Sequence, residues 1–429
     1  MIYSTKEKLA ILGAAAKYDA SCSSSGSKRQ NAGGLGNAQC DGICHSWGED
    51  GRCISLLKVL QTNICQYDCK YCINRKSNDT PRAFFSPSEL ANLTLQFYRR
   101  NYIEGLFLSS AVFRNVNYSM ELMLKTVSLL RNARFGGYIH LKVMPACDPE
   151  LIQKAGLLVD RLSANIELPS GESLKILAPQ KNPQKLLGSI KDISKNITIN
   201  KSESHYKSSK LFAPAGQSTQ LIIGATNDTD RTIINLSQSL YNKLALKRVY
   251  YSAYVPVVKH TLLPDIAKPP LLREHRLYQA DWLLRFYGFS ADEILPSSFP
   301  HLDMRFDPKS AWAIRNYNHF PLEINKADYE EILRIPGVGV TGAKRIVHAR
   351  KYARLDFDDL KKMGIVLKRA KYFTKCNGKM LIKHFNESLL LAETSSAYNE
   401  IELKEMQDGQ LPLFQEPSIF QNQLENFSL

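Results

Sequence analysis

Nothing in this 429-residue chain is apolar for long enough to cross a bilayer, since no run reaches the ~18 residues that a spanning helix needs. The opening residues, Met1-Ile2-Tyr3-Ser4-Thr5-Lys6, lack the apolar core of a secretory signal. The expected compartment is therefore the cytoplasm, with no membrane partner. Negative charge is also short. Against 56 Lys and Arg stand 41 Asp and Glu, a net charge of +15, and such a surplus favours polyanionic partners, nucleic acid first. Beyond residue 75 cysteine is nearly absent, with two of the chain's nine. That leaves no downstream C-x2-C pair of the kind a four-ligand zinc site uses.

The other seven cysteines, Cys22, Cys40, Cys44, Cys53, Cys65, Cys69 and Cys72, crowd the start of the chain. Without a secretion signal this clustering argues for metal rather than disulfides. Cys65-Gln66-Tyr67-Asp68-Cys69-Lys70-Tyr71-Cys72 has the spacing C-x3-C-x2-C. Three thiolates this close can bind three irons of one [4Fe–4S] cube and leave the fourth iron open, whereas ferredoxin runs use other spacings. Cys40, Cys44 and Cys53, with Cys22 nearby, are candidates for an auxiliary Fe–S cluster or a zinc site. The plainer alternative is that they are small buried residues or active-site thiols.

Residues 21–37 are rich in Gly and Ser and read as a loop. From Ile54 the texture changes to strands alternating with helices. Strands are expected at 54–60, 105–110, 138–143, 161–167, 219–224 and 248–254. Helices are expected at 86–100 (capped by Ser86, with Pro87 and Glu89 in place), 118–131, 149–155 and 228–244. A polar, Lys/Ser-rich insert occupies 180–212. Alternation of this kind implies a parallel sheet, and six strands over about 200 residues fit a partial or full α/β barrel. Active sites in such barrels lie at the strands' C-terminal ends, where the Cys65 loop falls. The expected organisation is an N-terminal Gly/Ser/Cys-rich segment (1–53) and the barrel (54–260), then a helical extension packing on the barrel (261–320). A small all-α module (321–380) and an acidic, disordered tail (381–429) complete it.

At the cysteine triad, with Tyr71 before the last thiol and a strand leading in, the sequence resembles the radical S-adenosylmethionine (SAM) superfamily. Over most of its length, from Lys17 to about Cys376, it further resembles the family described as DNA modification/repair radical SAM proteins. The segments that carry this second resemblance include Gly42-Ile43-Cys44-His45-Ser46, Arg52 to Val59, Asn101 to Ser110, Ala213 to Thr219 and Leu272 to Trp282. The resemblance implies that SAM chelates the fourth iron through its amino and carboxylate groups. Its reductive cleavage would then yield methionine and a 5′-deoxyadenosyl radical that takes a hydrogen atom from substrate. It also implies a reducing partner such as flavodoxin or ferredoxin. Candidate cofactor contacts are Tyr71, Ser109 and Ser110 (in place of the family's usual Gly-Gly-Glu run), Ser163, Asn165 and Glu167 along one strand, and Gly224, Ala225 and Thr226 at a strand end. Each also reads plainly as a strand-end or turn residue.

Glu331 to Ile346, with Pro336-Gly337-Val338-Gly339 at its centre, resembles the helix-hairpin-helix motif of DNA repair proteins. Asn325 and Asp328 start its first helix, and Pro336 stops it. Gly337 and Gly339 permit the hairpin and expose backbone N–H groups, and with Lys344 and Arg345 one turn on they form a phosphate site that reads no sequence. From 321 to 379 there are 14 basic and 7 acidic residues, which favours nucleic-acid contact over a purely structural hairpin. Lys361 to Arg369 is a candidate second hairpin. In the acidic tail, Gln410-Leu411-Pro412-Leu413-Phe414 resembles the motif by which bacterial DNA polymerases and repair proteins bind the replication sliding clamp. Chance is the alternative for so short a match. The expected function is a radical SAM enzyme that modifies or repairs DNA. The alternatives are an RNA-modifying radical SAM enzyme and a non-catalytic Fe–S DNA-binding protein.

Overall fold

The computed structural model describes residues 3–16, 43–47, 53–203 and 211–393, with the side chains of 44–47, 53 and 203 outside that description. The candidate auxiliary ligands Cys40, Cys44 and Cys53, and the tail motif Gln410, Leu411, Leu413 and Phe414, therefore lie outside the described residues or side chains. The chain forms two compact units. One comprises residues 1–228 and 239–270, the other residues 229–238 and 271–429.

The first unit is built on a seven-stranded sheet whose order follows the chain. Strand β1 (Ile43–Trp47) runs antiparallel to β2 (Cys53–Leu60). From there β2, β3 (Gly105–Ser109), β4 (Tyr138–Lys142), β5 (Arg161–Ser163), β6 (Gln217–Ile223) and β7 (Arg248–Ala253) are all parallel. This is the partial form of the expected α/β barrel: a half-barrel of six parallel strands. Helix α1 (Thr5–Ala16) precedes it. The crossovers are α2 (Pro87–Arg99), α3 (Val116–Asn132), α4 (Pro149–Gly156), α5 (Gly171–Leu177), α6 (Pro183–Glu203) and α7 (Asp230–Leu244).

Period-two alternation sorts the strand residues onto two faces. Leu57, Val59, Leu106, Leu108, Ile139, Leu141 and Leu162 are fully buried on the face toward the helices. On that same face Gln61 accepts a 2.8 Å bond from Thr126 of α3. The inner face carries Lys58, Phe107, His140 and Arg161 in register. Ser86 caps α2 with the expected capping box, Glu89 answering it from the first turn.

Three expectations are corrected. The segment read as a polar insert is mostly α6, 21 residues long. Its Lys and Ser content hides a stripe of Leu186, Ile190, Ile193 and Ile197, all buried at helical spacing, each stabilising the fold by about 2 kcal/mol. Strand β5 stops at Ser163 rather than Glu167, and Glu167 has a φ of 71° and only an isolated bridge to Leu221. Strand β1 was not expected.

The second unit groups the first half of α7 with the helical extension and the hairpin module, so the segment after 270 divides from the sheet differently than expected. It contains α8 (Leu271–Phe286), α9 (Ala291–Ile294), α10 (Pro308–Arg315), α11 (Tyr329–Arg334), α12 (Val340–Ala349), α13 (Phe357–Lys362) and α14 (Leu367–Ala370). A two-stranded parallel sheet of β8 (Leu322–Glu323) and β9 (Thr374–Lys375) closes the module, which is therefore not purely helical. Buried Asp230 anchors the extension, accepting from Arg273 Nε at 2.7 Å and from the Leu302 amide at 2.9 Å. Residues 381–393 do not match the disorder expected of the tail. Phe385 packs on Tyr317 with ring centroids 4.3 Å apart, Leu390 is fully buried, and Glu393 pairs with Lys371 at 2.8 Å.

Candidate metal centre and nucleic-acid surface

The loop that leaves β2 at its C-terminal end carries Cys65, Cys69 and Cys72, and backbone bonds hold it on both sides. The Gln66 amide donates to Val112 O (2.8 Å), the Lys70 amide to Leu177 O (2.7 Å), and the Cys72 amide to Cys69 O (3.0 Å). The strongest brace is Arg82. Its guanidinium donates to the carbonyls of Asn63, Asn74, Arg75 and Asn78, at 2.6–2.8 Å, and so ties the entry and exit of the loop to one rigid fork. Asn63 completes the clasp, donating to Pro81 O and accepting from the Ala83 amide, both at 2.8 Å. Asp68 is pinned by Lys70 (2.8 Å) and Ser77 (2.5 Å), and these bonds hold its carboxyl well below the ordinary range.

All three thiols are free. Burial pushes the Cys72 thiol up to about 12, and the charges of Cys69 and Cys65 push the same way. Cys69 is raised for the same first reason, burial, with Lys181 opposing it. A cationic metal group would reverse this and hold all three as thiolates. Among the described residues no three His, Cys, Asp or Glu side chains converge on a single ion. A cube offers a separate iron to each thiolate, so a [4Fe–4S] cluster does not need that convergence. Three soft thiols on one clamped loop, Cys69 buried and Cys65 and Cys72 half-buried, fit such a cluster, and Cys65, Cys69 and Cys72 would hold it.

Some of the candidate cofactor contacts come to this loop. The Tyr71 hydroxyl accepts from Lys181 Nζ at 3.3 Å, and the same ammonium bonds Glu167 at 2.9 Å. Ala225 packs in one apolar cluster with Cys69, Tyr71 and Cys72. Gly224 has a φ of +85°, and a Cβ there would press on Pro270. Ser109 O accepts from the Gln61 amide at the exit of β2, and Ser110 Oγ donates to Ala111 O. Others are placed differently. Ser163 shares a hydrogen bond with His140 (3.0 Å), Asn165 donates to Gln220 (3.3 Å), and the Thr226 hydroxyl is engaged by Asp228 (2.5 Å). The break in β5 before Glu167 means that Ser163, Asn165 and Glu167 do not alternate along one strand as expected. Sequence reasoning missed Arg82, which has no motif around it, and Lys181, which was hidden in the supposed insert.

In the second unit, a turn at residues 335–339 joins α11 to α12. Glu331 accepts from the Asp328 amide to start α11, whereas Asn325 is tied to Leu355 through both its amide oxygen and nitrogen. Gly337 has a φ of +84°, and a Cβ on it would stand 2.5 Å from Val366 O. Gly339 caps α12 at φ −92°, a conformation open to any residue, so the conformational demand falls on Gly337 alone. Lys361 to Arg369, the candidate second hairpin, takes in the end of α13, a turn and the start of α14. Gly364 has a φ of +83°, buried Ile365 follows it as Val338 follows Gly337, and the Val366 amide donates to Gly337 O at 3.0 Å. Lys344 and Arg345 are exposed on α12 and, with His348, Ala349, Lys362 and Met363, line a groove of 680 Å³.

No family model and no curated protein matches the chain. Among solved structures it is similar to HydG, a maturase of the [FeFe]-hydrogenase, at 13% identity and a TM-score of 0.39, over 52% of this chain and 48% of that one. It is likewise similar to methylornithine synthase (PylB) at 14% and 0.40, over 52% and 60%. A third is OxsB, a cobalamin-dependent S-adenosylmethionine radical enzyme, at 10% and 0.33, over 89% and 63%. The chain thus spans between about half and two thirds of the length of each. No helix among the described residues is long and apolar enough to cross a membrane.

Proposed function

We propose that the chain is a [4Fe–4S] radical SAM enzyme acting on DNA, by modifying it or repairing a lesion. The observation that carries the reading is the C-x3-C-x2-C loop, with three free, neighbouring thiols at the C-terminal edge of a parallel half-barrel, braced by Arg82. When bound, the cluster supplies the electron that splits SAM. The chain's own contribution is positional. Arg82 and Asn63 fix the loop, and the Lys181–Glu167 pair orients the Tyr71 hydroxyl beside the thiols. The apolar cluster of Leu168, Leu174, Leu177 and Tyr254 excludes water from Cys69.

The DNA half of the reading rests on the second unit. Its paired turns, the surplus of seven positive charges between residues 321 and 379, and the groove walled by Lys344, Arg345 and Lys362 suit a phosphate backbone. Partners consistent with this reading are a low-potential electron donor and, through Gln410 to Phe414, the replication sliding clamp.

The test is Cys69→Ala. Anaerobically reconstituted wild type should hold about four irons at this site and release 5′-deoxyadenosine from SAM with dithionite. The variant should lose that release while its hairpin unit stays folded by circular dichroism. Unchanged release from the variant would sink the enzyme reading. Mass spectrometry of DNA and RNA from cells with and without the gene then separates a DNA from an RNA target.

A further inference from the structure

On the inner face of the half-barrel two cations, Lys58 and Arg161, have no carboxylate partner among the described residues. In register across four strands, Lys58, Phe107, His140 and Arg161 form one level, and Lys142, Ser163, Ser218 and Arg248 form the next. Lys58 is 4% exposed, and its ammonium lies 5.7 Å from the centre of the Phe107 ring. No carboxylate among the described residues pairs with it. Arg161 lies beside Tyr138, yet its Nε has no hydrogen-bond partner among the described residues, and neither has the buried hydroxyl of Ser218. The carboxylate that the ion pairs bring to this face is Glu167, which is bonded to Lys181 at 2.9 Å with Lys142 at 4.0 Å.

Buried cations without counter-charge are costly, and buried hydroxyls normally find a partner. The face is not sealed either, for Lys142, Arg161 and Arg248 are only half-buried. His140 packs edge-on to Phe107 with centroids 4.6 Å apart. Burial, then the charges of Arg161, Lys58 and Lys142, holds it well below the ordinary histidine range, so it stays neutral and bonds Ser163. One carboxylate on a ligand would answer only one of the two charges of Lys58 and Arg161. A phosphate monoester brings nearly two negative charges and three acceptor oxygens.

We propose that the inner face of the half-barrel binds a phosphate group of the substrate nucleotide, with Lys58 and Arg161 as its charge partners and Ser218 as a hydroxyl donor. This rests on the reading that the substrate is a nucleic acid or its nucleotide, and names the part of that substrate held in the barrel. The phosphate belongs either to a free nucleotide or to one within a strand.

Calorimetric titration of the full-length, iron-loaded protein tests it. The probes are the four deoxynucleoside 5′-monophosphates, the matching nucleosides, and a 5′-phosphorylated dinucleotide too short to span the hairpins. Wild type should bind a phosphorylated probe and not the nucleosides. Lys58→Met should weaken that binding about tenfold or more, and Lys58→Arg should restore most of it. A loss seen with the monophosphates identifies a free nucleotide. A loss confined to the dinucleotide identifies a nucleotide within a strand. Nucleosides binding as well as nucleotides, undiminished binding by Lys58→Met, or no binding of any probe by wild type overturns the proposal. SAM cleavage by the same wild-type preparation is scored separately. Cleavage without phosphate binding defeats this inference alone, and absent cleavage defeats the cluster reading alone.

Discussion

The two units hold their working groups in opposite ways. In the sheet unit the groups are side chains, three thiols on a loop that would wander without a brace, and the brace is also a side chain, Arg82 bonding four carbonyls. In the second unit the working groups proposed for DNA include the backbone itself, and the brace is backbone to backbone, Val366 N–H to Gly337 O. Side-chain chemistry writes itself into the sequence as residue type and spacing. Backbone chemistry appears there only as permission, a glycine or a proline, and permission is ambiguous about which residue uses it.

Three sets of substitutions sharpen this contrast. The largest effect is expected from Arg82→Ala, which leaves four carbonyls of the cysteine loop without their donor. It should cost about 3 kcal/mol or more and sharply lower the iron retained after anaerobic reconstitution, while Arg82→Lys recovers part of it. Iron content and thermal unfolding check this, and full iron loading of Arg82→Ala would show that the loop needs no such brace. Next comes the pair Gly337→Ala and Gly339→Ala. The first meets both a positive φ and the Val366 carbonyl, and should destabilise the hairpin unit by about 2 kcal/mol or more. The second should cost only about 0.5 kcal/mol, the difference between Gly and Ala at a helix N-cap. Urea unfolding ranks them, and equal losses would mean that the two glycines share the strain. The smallest effect on stability, and a clear one on binding, is expected from Lys344→Ala with Arg345→Ala. Duplex affinity should fall for every sequence tested, and the slope of log affinity against log salt should shrink by about two. A sequence-selective loss would instead indicate base readout, and no loss would leave the hairpins a structural role.

All six parallel strands were legible, because runs such as Ile54 to Leu60 and Thr219 to Ile223 are mostly apolar and bounded by turns or polar loops. The cysteine loop was legible because its spacing is itself the chemistry. Helix α6 was not, since its exposed Lys and Ser residues outnumber the four apolar ones that fix it. Strand β5 was over-extended because composition does not register the positive φ at Glu167. Lys58 and His140 were passed over inside strands that otherwise looked like ordinary core. Their meaning depends on register, which places them beside Phe107 and Arg161, and register is a property of the assembled sheet. Arg82 shows the same limit, since its four partners are scattered from Asn63 to Asn78.

The bond from Val366 to Gly337 also bears on how the module opens. The first turn uses the second as a wall, since the space a Cβ would need at Gly337 is taken by Val366 O. Neither turn can fray without breaking the bond that joins them. Local unfolding there is therefore a joint event with a single free energy rather than two independent loosenings. The amides of Val338 and Val366, 28 residues apart in sequence, would exchange with solvent at a common rate, as parts of one cooperative foldon.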